Sequence, residues 1–133
     1  MAEGHTFYAY LPGGASGGIL PASLGDIPLD FDTLQPHGCF IGSAAVIVLS
    51  QHDKARDAAL NMMQFFADES CGQCTPCREG TGWLYRMVHR IETGEGRNED
   101  IDKLNNVSDN IAGRTICALG DAAALPVKSF IKH

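Results

Sequence analysis

The chain has 133 residues, with 16 acidic and 10 basic side chains and a formal net charge of −6 at pH 7. That length suits one domain, or a small domain plus part of another. With 44% of residues hydrophobic and 20% charged, the chain can bury a core. The acidic balance excludes a nucleic-acid or anionic-membrane surface, both of which need clustered Lys and Arg.

No Lys or Arg precedes Lys54, which speaks against a leader peptide in that stretch. The most apolar run, Phe40 to Leu49, is about half the length of a membrane-spanning helix, so no direct membrane insertion is expected. A soluble, cytoplasmic protein is the expectation. Five cysteines, three of them between residues 71 and 77, point to a reducing compartment in which four thiolates hold a metal and one is spare.

The first 51 residues carry 8 of the 15 glycines and 4 of the 6 prolines, with turn clusters at Pro12-Gly13-Gly14, Gly17-Gly18 and Gly25-Asp26. Between them, Thr6 to Leu11 and the β-branched run Ala44 to Leu49 are predicted strands. From Asp53, a predicted N-cap, the period becomes helical. Ala55, Ala58, Ala59, Met62, Met63 and Phe66 share one face. A second helix is expected from Thr75 or Pro76 to about Glu92, with Leu84, Met87, Val88 and Ile91 inward. A third is expected from about Glu99 to Ala112, stopped by Gly113. The last starts at Asp121 as N-cap and contains Pro126, as one kinked helix or a turn before a shorter one. The fold class is therefore α+β: a turn-rich β unit over residues 1–51 and a four-helix bundle over 52–133.

The chemistry sits at ESCGQCTPCREG, residues 69–80. Cys71, Cys74 and Cys77 form C-x2-C-x2-C on a loop entering a helix, and Cys117 follows far downstream in RTICALGD. Three such thiolates can take three iron corners of a cubane and leave the fourth to a distant cysteine. The alternative is a structural zinc, stapling a non-redox interaction domain. Zinc ligands usually come as two separated C-x2-C pairs, whereas these come as three plus one.

Other residues offer less. Cys39 reads as a buried core thiol. Arg78 either favours a reduced cluster by its charge or is simply solvated and ion-paired. Trp83 and Tyr85 read as core packing rather than electron relays. The histidines, His5, His37, His52, His89 and His133, lack ligand spacing, and PGGASGG lacks the spacing of a phosphate cradle. No nucleophile–base set stands out, so no catalytic residue is assigned.

The run Glu69-Ser70-Cys71-Gly72-x-Cys74-x-Pro76-Cys77-Arg78-x-Gly80 resembles the signature of the NADH- and flavin-binding subunits of respiratory complex I, NAD-dependent formate dehydrogenases and NAD-reducing hydrogenases. The resemblance continues through Ile116-Cys117-x-Leu119-Gly120-Asp121-Ala122-Ala123-Ala124, and upstream through LPGGASGGILP and PLDFDTL to Gly42-Ser43. In residues 5–35 it is closest to the formate dehydrogenase β subunit.

That resemblance implies a [4Fe–4S] cluster held by Cys71, Cys74, Cys77 and Cys117 in the helical bundle, after a partial β-grasp-like, soluble-ligand-binding unit. It implies FMN and NAD for the parent subunit but not for this chain alone. The partners it implies are the FMN/NAD-binding domain of the same subunit and neighbouring iron–sulfur subunits of a larger oxidoreductase. The glycine-rich motifs of the flavin domain are not in this sequence. The chain is thus expected to be the C-terminal part of such a subunit, unable to run NADH chemistry by itself.

Overall fold

The computed structural model describes all residues, 1–133. Strand β1 (Phe7–Leu11) is central in a three-stranded antiparallel sheet, flanked by the two-residue β2 (Leu20–Pro21) and by β3 (Ile47–Ser50). The inward residues of β1, Ala9 and Leu11, are buried beside Leu49 of β3.

The predicted strand over Ala44–Leu49 is shorter than expected at its start. Ala44 takes φ 59°, a left-handed conformation outside the β region, so the strand begins only at Ile47. Between the strands lies a one-turn helix, α1 (Phe31–Leu34), capped by the Asp30 carboxylate, which accepts from the Thr33 amide at 2.6 Å. A single turn in a loop-rich segment gives no periodic signal.

Four longer helices follow: α2 (Ala55–Asp68), α3 (Thr75–Glu92), α4 (Asp100–Ile111) and α5 (Leu119–Lys132). Each packs on the next and α5 returns to α2, closing a bundle. The architecture is mixed α+β, five helices with one small sheet. Met63, Leu84, Ile111, Ala123 and Ala124 are each no more than 1% exposed at the bundle centre. The same apolar cluster takes in Ala9, Leu11, Ile19 and Leu49 from the sheet side. One polar rivet joins the two parts: Ser129 of α5 accepts from the Ile19 amide at 2.8 Å and donates to the Ile19 carbonyl at 3.0 Å. The Cys39 thiol is buried against this pair, 3.6 Å from both Ile19 O and Ser129 Oγ. Burial pushes that thiol above its ordinary pKa.

Two predicted caps belong elsewhere. Asp53 does not cap α2, whose N-cap is Lys54 without a side-chain bond. Its carboxylate turns back to accept from the Ser50 amide at 2.7 Å and the Ser50 hydroxyl at 2.8 Å, closing the turn after β3. Asp121 likewise lies inside α5, which starts at Leu119, and accepts from the Gly113 amide at 2.7 Å. Pro126 sits within α5 without ending it. Trp83 is a further correction, being 49% exposed and outside the core, while Tyr85 packs half-buried against that core. No helix of the chain is long and apolar enough to cross a membrane.

Candidate metal centre

Helix α2 ends at Asp68, and the chain runs at once into the cysteine loop before α3 begins at Thr75. Gly72 makes the loop possible. It adopts φ 78°, which an L side chain rarely takes, and so reverses the chain between Cys71 and Cys74. Cys74 is the N-cap of α3, Pro76 occupies its first turn, and Cys77 follows one turn on, buried. The positive end of the α3 dipole is thereby directed at these sulfurs.

Cys117 arrives from the other side, on the short connection between α4 and α5. That connection packs tightly because residue 120 is glycine: a Cβ there would lie 2.5 Å from Thr115 Oγ1 and 2.7 Å from its methyl carbon.

Cys71, Cys74, Cys77 and Cys117 line one cavity of about 100 Å³, together with Glu69, Ser70, Gln73, Thr115 and Leu119. Cys39 is not among them; it lies buried beside Ser129 at the sheet. A larger groove, about 770 Å³ between α3 and α4, contains no thiol. The smaller cavity therefore holds the candidate chemistry.

Hydrogen bonds already reach two of its sulfurs. The Ile116 amide donates to Cys74 Sγ at 3.4 Å, and Ser70 Oγ lies 3.3 Å from Cys77 Sγ. Thr81 Oγ1 donates to the Cys77 carbonyl at 2.8 Å, and Thr115 Oγ1 to the Cys117 carbonyl at 2.9 Å. Such bonds orient ligands and stabilise negative charge on sulfur. Ser70 is legible in the sequence only as the residue beside the first cysteine. The Ile116 contact is a backbone amide, which no side chain announces.

The donor set fits a cluster in two ways. Thiolates are its required ligands, and four cysteines from two parts of the chain line one cavity. No three His, Cys, Asp or Glu side chains of this chain come together closely enough to hold one metal ion. The histidines form no ligand group; His5 and His52 stand edge to face at 4.9 Å, beside Ser50.

The family described as the NADH-ubiquinone oxidoreductase-F iron-sulfur binding region matches residues 57–133, more than half the sequence and all of the cysteine site. The chain belongs to this family. It is 46% identical over 125 residues to the F subunit of the NADH-quinone oxidoreductase of Rickettsia conorii, covering 94% of this chain and 30% of that protein. It is 48% identical over 124 residues to the mitochondrial NADH dehydrogenase [ubiquinone] flavoprotein 1 of Dictyostelium discoideum, covering 92% of this chain and 26% of that one. Among solved structures, an NAD+-reducing [NiFe]-hydrogenase in the air-oxidized state superposes with a TM-score of 0.85 at 30% identity, over 96% of this chain and 22% of that one.

These relatives fit the resemblance to the flavoprotein subunits, with a [4Fe–4S] binding region as the shared element. The names of these proteins speak of NADH, NAD+ and a flavoprotein, properties of those longer chains. The chain spans less than a third of the curated relatives it matches.

Proposed function

We propose that Cys71, Cys74, Cys77 and Cys117 hold the [4Fe–4S] cluster, and that the chain is a one-electron relay module of an NAD-linked oxidoreductase. The observation that carries this reading is the selection of cysteines. Four of the five, drawn from the start of α3 with the loop before it and from the α4–α5 connection, line a single cavity, and the fifth is buried elsewhere.

When bound, the cluster would supply a site that takes and gives one electron at a time. The residues of the chain provide its setting. Cys71, Cys74 and Cys77 anchor it to the start of α3, and Cys117 closes the cage from the α4–α5 connection. Ser70 and the Ile116 amide offer hydrogen bonds to ligand sulfur, which favour the more negative, reduced charge state. The Cys77 side of the cavity is buried, which keeps water from that ligand.

In the reading we favour, electrons pass between this site and a flavin that exchanges hydride with NAD(H) on the remainder of the parent subunit. From here they reach iron–sulfur centres of neighbouring subunits. The parent would be of NADH dehydrogenase or NAD-dependent formate dehydrogenase type, in the cytoplasm. Residues 1–51 would be a partial β-grasp-like unit and residues 52–133 the cluster-bearing domain. The chain alone would not turn over NADH, because the glycine-rich FMN- and NAD-binding motifs of such subunits are not among its residues.

Anaerobic purification tests this directly. The chain should carry about four irons and four acid-labile sulfides, with broad visible absorption bleached by dithionite. One tightly bound zinc without colour would replace the relay with a stapled interaction domain.

A further inference from the structure

One side chain spans the cysteine loop. Arg78 follows Cys77 on the first turns of α3. Its Nη1 donates to the Gly72 carbonyl at 2.9 Å, its Nη2 approaches Thr75 Oγ1 at 3.4 Å, and its Nε donates to the Glu79 carboxylate at 3.0 Å. Gly72 is the only residue of 69–74 that does not line the cavity. A Cβ built on it would stand 3.7 Å from Arg78 Cδ, so the arginine stem lies alongside the reversal of the chain. The guanidinium thus ties the apex of the loop, between the first two cysteines, to the helix that carries the third.

We propose that Arg78 is a positioning residue, a clamp that holds the Cys71–Cys77 loop closed and so governs how firmly the cluster is retained. The proposal rests on the ligand assignment made above. Geometry, not charge, is the operative property. Arg78 and Glu79 are paired and both about half exposed, at 48% and 51%, so the arginine's field is offset by its neighbour and screened by water. The planar fork reaches a carbonyl, a hydroxyl and a carboxylate in three directions at once. A lysine ammonium, a compact point charge on a flexible stem, cannot span the three. An engaged Gly72 carbonyl is also held to the arginine, where it satisfies its own hydrogen-bonding need outside the cavity.

The test compares Arg78→Lys, Arg78→Gln and Glu79→Gln on the anaerobically loaded chain, following the decay of visible absorption after addition of an iron chelator. Both Arg78 variants should lose the cluster roughly fivefold or more faster than the parent sequence, from the lost hydrogen bonds of a charged donor. Glu79→Gln should stay within about twofold. The midpoint potential of Arg78→Lys should match that of the parent. Rescue of retention by lysine, or a potential that shifts with the charge while retention does not, overturns the clamp.

Amide hydrogen exchange on the metal-free chain separates this from the ligand assignment. Exchange over residues 71–76 should rise in Arg78→Lys while that of α4 stays the same; unchanged exchange in the loop overturns the clamp. If the parent chain takes up no iron, the ligand assignment fails, and hydrogen exchange alone still decides the role of Arg78.

Discussion

The two ends of α3 are held in different ways. At its C-terminal end, Arg90 grips Asp100, the first residue of α4, through Nε at 3.1 Å and through a second contact from Nη2. Asp100 is fully buried and also accepts from the Arg97 amide at 2.8 Å. Those bonds, the one from Arg90 first, hold its carboxyl below the usual carboxylate range. At the N-terminal end, by contrast, Cys71 and Cys117 are exposed, and the loop is fastened through a half-exposed arginine. One end closes with its own side chains. The other presents four thiols around a cavity, which the proposed cluster would complete. The difference separates a structural junction from a functional one within a single helix.

The contrast can be broken at either end. The largest effect should come from Cys77→Ser, which should abolish nearly all iron binding while leaving amide protection at the Arg90–Asp100 junction intact. Loss of protection at both ends would mean that the two are not independent. Next in size is Leu84→Ala, in the middle of α3 and fully buried. It should cost about 2–5 kcal/mol in denaturant unfolding of the metal-free chain and weaken both ends together.

Asp100→Asn should come third, lowering the thermal midpoint clearly but by less than Leu84→Ala, because it leaves a partly exposed arginine without its partner. The sign of the accompanying pH effect is fixed by the lowered pKa. The Asp100 contribution is complete above the unfolded carboxylate value near pH 4 and is lost as pH falls through the lower folded value. Acid titration of the parent chain should therefore loosen the α3–α4 junction, a slope that Asp100→Asn should lack. The smallest effect belongs to Ser129→Ala, where α5 meets the sheet side. It removes the rivet to Ile19 and should cost on the order of 1 kcal/mol without changing iron content.

Much of this is legible in the sequence because the relevant signals are local. The apolar period of α2, Pro76 at the start of α3 and the C-x2-C-x2-C spacing each depend on residues a turn or two apart. What escapes depends on partners distant in the chain or on the absence of period. Asp53 and Asp121 stand where caps are expected, yet each carboxylate bonds the backbone of a preceding turn. Trp83 reads as core because it is large and apolar. The buried stripe of α3 runs through Cys77, Thr81, Leu84 and Val88, and residue 83 falls about 100° off it. Strand β2 is two residues long and includes a proline, too little for any pattern. The convergence of Cys117 with the loop cysteines follows from the family resemblance; the close approach at Gly120 that permits it is a three-dimensional fact.

Four particular cysteines, in the proposed reading, share one iron–sulfur cluster. Iron and acid-labile sulfide counted in anaerobically purified Cys→Ser variants of all five positions test it most directly. The prediction is about four of each in the parent chain and in Cys39→Ser, with severe loss in the variants at Cys71, Cys74, Cys77 and Cys117. Full iron and sulfide content in any of those four, or loss confined to Cys39→Ser, would contradict it.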